Sequence, residues 1–212
     1  MPHQAHQADS GLQYLLYLPP QYNPQDKYPA ILFLHGSGER GNDLSLVQLH
    51  GLPKRIATGD EYPFIIISPQ CPVDVRWTDE VSRLGDLLTH VENAYAIDKT
   101  RFYLTGMSMG GQGAWALAVE HPTRFAAVAP ICGRQIPDLS KICALRNTPM
   151  WVFHGAKDSV VPLENSELMV DTLKGCGGNV RLTIYPDADH DAWTQTYANG
   201  QLYTWFLEHQ RV

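Results

Sequence analysis

Positive charge is scarce in this chain: 16 Lys and Arg stand against 22 Asp and Glu, a formal net charge of -6. No run of Lys or Arg occurs, and a polyanion-binding surface needs clustered cations, so nucleic acid and anionic membrane are not expected partners. No apolar stretch approaches the roughly 20 residues that cross a bilayer, so no membrane span is expected. Cysteine is limited to four residues, none in a Cys-x-x-Cys pair or at ligand spacing from histidine. No zinc or other metal is therefore expected, and no cofactor. Repeats, low-complexity tracts and linkers are lacking too, which leaves a single domain. With 44% hydrophobic and 18% charged residues, 212 residues suffice for one sizeable core.

The first ten residues are polar and have no apolar core segment, so they do not read as a signal peptide. They are expected to be a disordered leader, 1–10, ahead of a domain at 11–212. The compartment stays open: the chain reads as soluble, and secreted if it is a mature or excised fragment. Beyond residue 11, strand-like and helical segments alternate, the pattern of a mostly parallel sheet with helices on both faces. Strands are expected at 12–18, where Pro19-Pro20 stops an opening edge strand, and at 30–34, 64–68, 101–105, 125–131, 151–155 and 180–185. Helices are expected within 44–58 and at 80–96, 111–118, 164–174 and 196–210.

Between the strand at 101–105 and the helix after it stands Gly106-Met107-Ser108-Met109-Gly110. In such a G-x-S-x-G turn the serine is strained and exposed, glycines let neighbouring backbone approach, and a helix N-terminus stabilises developing negative charge. A serine hydroxyl needs a base. Asp158 follows the strand at 151–155 and His190 follows the strand at 180–185, so the order is Ser, Asp, His. Asp187, Asp189 and Asp191 also flank His190, but Asp158 sits just past a strand end, and turn or capping roles suit the other three. His154 reads as a packed, hydrogen-bonded histidine and His35 as a brace for the loop after the strand at 30–34. That loop, His35-Gly36-Ser37-Gly38, and the elbow supply candidate oxyanion donors: the backbone N–H groups of Ser37 and Met109.

With these residues the chain resembles the α/β-hydrolase superfamily from about residue 11 to its end. His35-Gly36-Ser37-Gly38-Glu39-Arg40-Gly41-Asn42-Asp43, Ser68-Pro69-Gln70-Cys71-Pro72 and His190-Asp191-Ala192-Trp193 look like the esterase D, polyhydroxybutyrate depolymerase and feruloyl esterase group. The resemblance implies a single-domain α/β-hydrolase fold and ester hydrolysis through an acyl-enzyme, with Ser108, Asp158 and His190 at the triad positions. A base must be neutral, so activity is expected to fall as pH drops through roughly 6.5, where an imidazole in water takes up its proton. The connection from 132 to 149 is too short for a cap domain, which favours short acyl groups or carbohydrate-linked esters, including feruloyl and acetylxylan esters, over long chains. Three rivals stand beside this reading: a prolyl oligopeptidase-like peptidase, whose gating propeller is absent; a dienelactone hydrolase, which would carry Cys at the elbow; and a binding module, which would have a damaged triad.

Trp77 is a candidate substrate contact, since an aromatic near the C-terminal sheet edge can stack on a sugar or phenolic acid, with a buried loop anchor as the equal alternative. Glu39 and Arg40 either orient the oxyanion loop as an ion pair or face solvent. Among the cysteines, the expected strand order puts Cys71 and Cys132 too far apart, at roughly 14 Å against a limit of about 7 Å. Cys176 lies at the remote sheet edge, so Cys132 with Cys143 is the one pairing this topology favours.

Overall fold

Side-chain alternation along the strands decides the architecture. The computed structural model describes residues 3–211 and contains one eight-stranded sheet: β1 (His3–Gln7), β2 (Gln13–Tyr17), β3 (Tyr28–Leu34), β4 (Ile65–Pro69), β5 (Ile97–Met107), β6 (Ala127–Ile131), β7 (Met150–Gly155) and β8 (Val180–Tyr185). Their order is β1-β2-β4-β3-β5-β6-β7-β8; β1 and β2 run antiparallel to their neighbours and the rest are parallel. Ala30, Leu32 and Leu34 of β3 pack to one side with Leu88 of α2 (Val81–Ala94), Leu117 of α3 (Met109–Glu120) and Leu173 of α4 (Glu164–Gly175). Ile31 and Phe33 point the other way, towards Leu52 of α1 (Gly51–Ala57), Tyr197 of α5 (Trp193–Ala198) and Phe206 of α6 (Gly200–Leu207). Both faces are covered, as a parallel sheet requires.

The chain winds outward from β3 to β4 on one side and from β5 to β8 on the other. Loops leaving β3 and β5 therefore diverge and open a crevice at the C-terminal ends of the strands, where open α/β sheets bind ligands. Among the described residues the β6–β7 connection holds a short 3₁₀ turn, Leu139–Leu145, and no cap.

Three expectations are corrected. Residues 3–7, expected in the disordered leader, form β1, with His3 opposite Tyr17; residues 1 and 2 lie outside the described residues. A polar edge strand satisfies its backbone groups on β2 and leaves side chains in water, so it needs no apolar pattern. The helix expected at 196–210 is two helices, because Asn199 leaves helical geometry (ψ 111°) and its side chain accepts from the Gln201 N–H at 3.0 Å, capping α6. Cys143 bonds to Cys176 with Cα atoms 5.4 Å apart, while Cys132 is free and buried. The β6–β7 connection carries Cys143 away from Cys132, which follows β6, and α4 returns Cys176 to meet it.

Candidate active site

A single residue, Ser108, turns the chain from β5 into α3, at φ 54° and ψ -115°. Positive φ in a non-glycine residue costs about 1–3 kcal/mol and persists only where the surroundings impose it. Here the Ser108 N–H donates to Ile131 O at 2.9 Å, and the Gln112 N–H donates to Ser108 O at 3.1 Å. The flanking glycines serve close packing: a Cβ on Gly110 would run into the Leu34 and His35 carbonyl oxygens, and one on Gly106 into Gly110 O.

The structure brings Ser108, His190 and Asp158 together. The Ser108 Oγ lies 2.8 Å from His190 Nε2, and His190 Nδ1 lies 2.8 Å from Asp158 Oδ2. A carboxylate only accepts, so Nδ1–H donates to it and Nε2 is left to accept the serine hydroxyl. The Asp158 side chain is fully buried and that of His190 is 16% exposed. The N–H groups of Val160 and Val161 donate to Asp158 Oδ1 at 2.9 and 2.8 Å, offsetting the desolvation of its charge.

The neighbouring aspartates have other partners. Asp189 Oδ1 accepts from the Ser159 N–H, the Ser159 hydroxyl and the His190 N–H at 2.8–2.9 Å. Those hydrogen bonds hold its carboxyl below the usual range and clasp the loop after β7 to the loop after β8. Asp187 pairs with Lys157 at the surface, and Asp191 accepts from the Thr194 N–H at the start of α5.

Ser37 and Met109 line a cavity of about 460 Å³ with Ser108, Arg76, Gln112 and Arg134. Arg76 donates to Gln112 Oε1 at 3.2 Å. A larger cavity of about 740 Å³ beside α2 and α3 is lined by none of Ser108, Asp158 and His190, so the smaller one holds the chemistry. His35 is fully buried; its Nδ1–H donates to Gly36 O at 2.6 Å and its Nε2 accepts from the Cys71 N–H at 3.0 Å. Burial pushes its pKa down to about 4, so it is a neutral brace for the oxyanion loop.

Trp77 is not at the surface: it is fully buried, and its Nε1–H donates to His35 O at 2.9 Å. It anchors the oxyanion loop and cannot stack on substrate, because Gly113 of α3 gives it room to pack inward. Glu39 and Arg40 do not pair. The Glu39 side chain is 5% exposed and raised in pKa by burial, while Arg40 donates to Ser37 O at 3.1 Å and Val75 O at 3.3 Å. Arg40 braces the loop by these bonds, while the Glu39 carboxylate is buried 3.7 Å from His35 and from His50.

Among the described residues, Cys132, Asp158 and His190 offer ligand atoms within 4.8 Å of one another. Asp158 and His190 already spend theirs on each other, and burial pushes the Cys132 thiol up, away from the thiolate a metal needs. Sequence reasoning missed the nearness of Cys132, the Asp189 clasp and the contact of His154 with Asp158; none follows from spacing along the chain.

Known proteins bear on this geometry. A bifunctional acetylxylan esterase/xylanase of Neocallimastix patriciarum is 25% identical over 201 residues, covering 92% of this chain and 28% of its own length. Feruloyl esterase C of Emericella nidulans is 26% identical, covering 90% of this chain and 76% of its own. A thermostable esterase of known structure superposes with a TM-score of 0.83 at 32% identity, covering 99% of this chain and 63% of that one. This chain therefore spans 28% of the bifunctional protein and 63% of the esterase, under two thirds of each. A sequence model of the dienelactone hydrolase family matches residues 73–201. The elbow serine had set that family aside; the match spans the elbow, the Asp158 loop and the His190 loop together, so one nucleophile atom does not decide membership. By that match this chain, with Ser108 at its elbow, belongs to the dienelactone hydrolase family.

Proposed function

We propose that this chain is a serine carboxylesterase acting on short-acyl or carbohydrate-linked esters through an acyl-enzyme. The observation that carries the reading is the continuous hydrogen-bond chain from Ser108 through His190 to Asp158, opening on a cavity. In this reading Ser108 Oγ attacks the ester carbonyl while His190 Nε2 takes its proton, and Asp158 holds the imidazole and balances its charge. The N–H groups of Ser37 and Met109 receive the developing oxyanion, each such donor contributing about 2.7–4 kcal/mol. His190 then protonates the leaving alcohol. Water repeats the steps and releases the acid.

Two features support the substrate class. Arg76, Gln112 and Arg134 share the cavity wall with Met109, Val160 and Val161, and among the described residues no cap roofs it. Without a cap, a long acyl chain would reach past these few apolar side chains into water, so most of its length would gain little from burial. Relatives named for acetylxylan and feruloyl ester hydrolysis point to carbohydrate esters among the open alternatives.

The test is initial rates on p-nitrophenyl acetate, butyrate and octanoate, on acetylated xylan and on methyl ferulate, with Ser108→Ala as the blank. Serine-dependent turnover that is faster on acetate and butyrate than on octanoate is expected. Preference for octanoate would overturn the short-acyl reading. The xylan and ferulate arms choose between the carbohydrate-ester subclasses.

A further inference from the structure

Asp158 has a second histidine against it. His154 belongs to β7, four residues before the aspartate, and its side chain is fully buried. Its Nε2 lies 3.1 Å from Asp158 Oδ2 and 2.8 Å from Val161 O. Both neighbours are acceptors, so Nε2 must carry a hydrogen, whatever the state of the other ring nitrogen. That other nitrogen, Nδ1, lies 2.7 Å from the hydroxyl of Ser166, a buried residue in the first turn of α4. The ring is thus pinned from both sides: Nε2–H donates to Val161 O, with Asp158 Oδ2 close beside it.

We infer that His154 is a positioning residue: by holding Val161, whose N–H binds Asp158 Oδ1, it fixes the Asp158 carboxylate so that Oδ2 meets His190 Nδ1. The inference rests on the proposed role of Asp158 in the triad. The bond from His154 to Val161 carries it. Asp158 Oδ1 is held by two backbone N–H groups of its own loop, those of Val160 and Val161. The carboxylate is planar, so holding Oδ1 also sets where Oδ2 stands. Oδ2 has His190 Nδ1 as its hydrogen-bond partner at 2.8 Å, and the edge of the His154 ring stands 3.1 Å away with its N–H turned to Val161 O. His190 rides on a half-buried loop and must change its protonation state during turnover, so it is a poor anchor for the group that orients it. His154 sits on a buried strand and takes no part in proton transfer, being shut off from the Ser108 cavity, whose lining does not include it. The bond from His154 keeps the Val161 N–H aimed at Asp158, and a hydrogen bond to a buried charge is stronger than a neutral one. The Ser166 hydroxyl extends the same chain into α4, so that helix, the strand and the catalytic loop are tied at one point.

The experiment compares His154→Gln, which keeps an N–H donor near the position of Nε2, with His154→Leu, which keeps bulk and removes the donor. Rates are read on p-nitrophenyl acetate together with the rate of Ser108 labelling by a fluorophosphonate. For His154→Leu, kcat is expected to fall by about tenfold with KM unchanged, and His154→Gln is expected to recover most of that loss. In an Asp158→Asn background the leucine substitution is expected to have no further effect on labelling. Equal losses in the two variants, a KM that rises as kcat falls, or an undiminished effect beside Asp158→Asn would each overturn the inference. Should His154→Leu not fold, Ser166→Ala is read in both backgrounds: a fall confined to the chain with intact Asp158 supports the inference, and no fall overturns it. A wild-type chain that neither turns over ester nor takes the label would overturn the proposed function itself, and this inference with it. A wild-type chain that labels at the same rate as both His154 variants overturns the inference alone.

Discussion

Replacing Ser108 with alanine is expected to lower kcat on p-nitrophenyl acetate by on the order of 10⁵- to 10⁶-fold, the scale on which a triad nucleophile acts with its partners as one unit. The fold should survive. The Ser108 side chain does not cap α3 and is hydrogen-bonded to His190, at the edge of a cavity, so its removal leaves neither a core void nor a stranded buried group. The strained backbone at φ 54° is unchanged by alanine, which tolerates that region no better than serine. Glycine tolerates it freely. Ser108→Gly should therefore be equally inactive and more stable than Ser108→Ala, by an amount within the roughly 1–3 kcal/mol such strain costs. Denaturant midpoints at equal m-values measure the difference. A purified alanine variant that retains activity would remove Ser108 as the nucleophile, and equal midpoints would mean that the elbow stores no strain.

The second large effect is on folding. Gly110→Ala is expected to destabilise the chain by more than about 4 kcal/mol, the range reserved for a clash or a cavity that the core cannot absorb. A methyl there would overlap backbone atoms of Leu34 and His35, on the central strand β3 and the start of the oxyanion loop. Neither can yield without moving α3 off the sheet. Gly38→Ala is the control. It lies in the same loop region, nothing stands within 4 Å of its added Cβ, and it should change stability by less than about 0.5 kcal/mol. Thermal denaturation of both reads the contrast. A Gly110→Ala protein as stable as the parent would mean that the elbow helix is not held against β3 as described.

The elbow was legible in the chain because close backbone approach demands glycine, and Gly106 and Gly110 are those approaches written out. Asp158 and His190 were legible because each follows a buried strand in a parallel sheet, and such a sheet gathers its C-terminal loops at one edge. Trp77 was not, since an aromatic beside an active-site loop has the same sequence signature whether it faces inward or outward; the space above Gly113 decided the matter. The strand β1 was hidden because backbone pairing holds it, with little contribution from apolar side chains.

By itself the sequence determined the doubly covered sheet, the order of the three site residues and the lack of room for a cap, because each depends on local pattern or on length. Tertiary structure alone decided which cysteines meet, that Glu39 is buried while Arg40 braces their loop, that Asp189 clasps two loops, and that His154 faces Asp158. Those contacts join atoms from separate loops, strands and helices. Their distances are set by how strands and helices pack, and spacing along the chain carries no record of that.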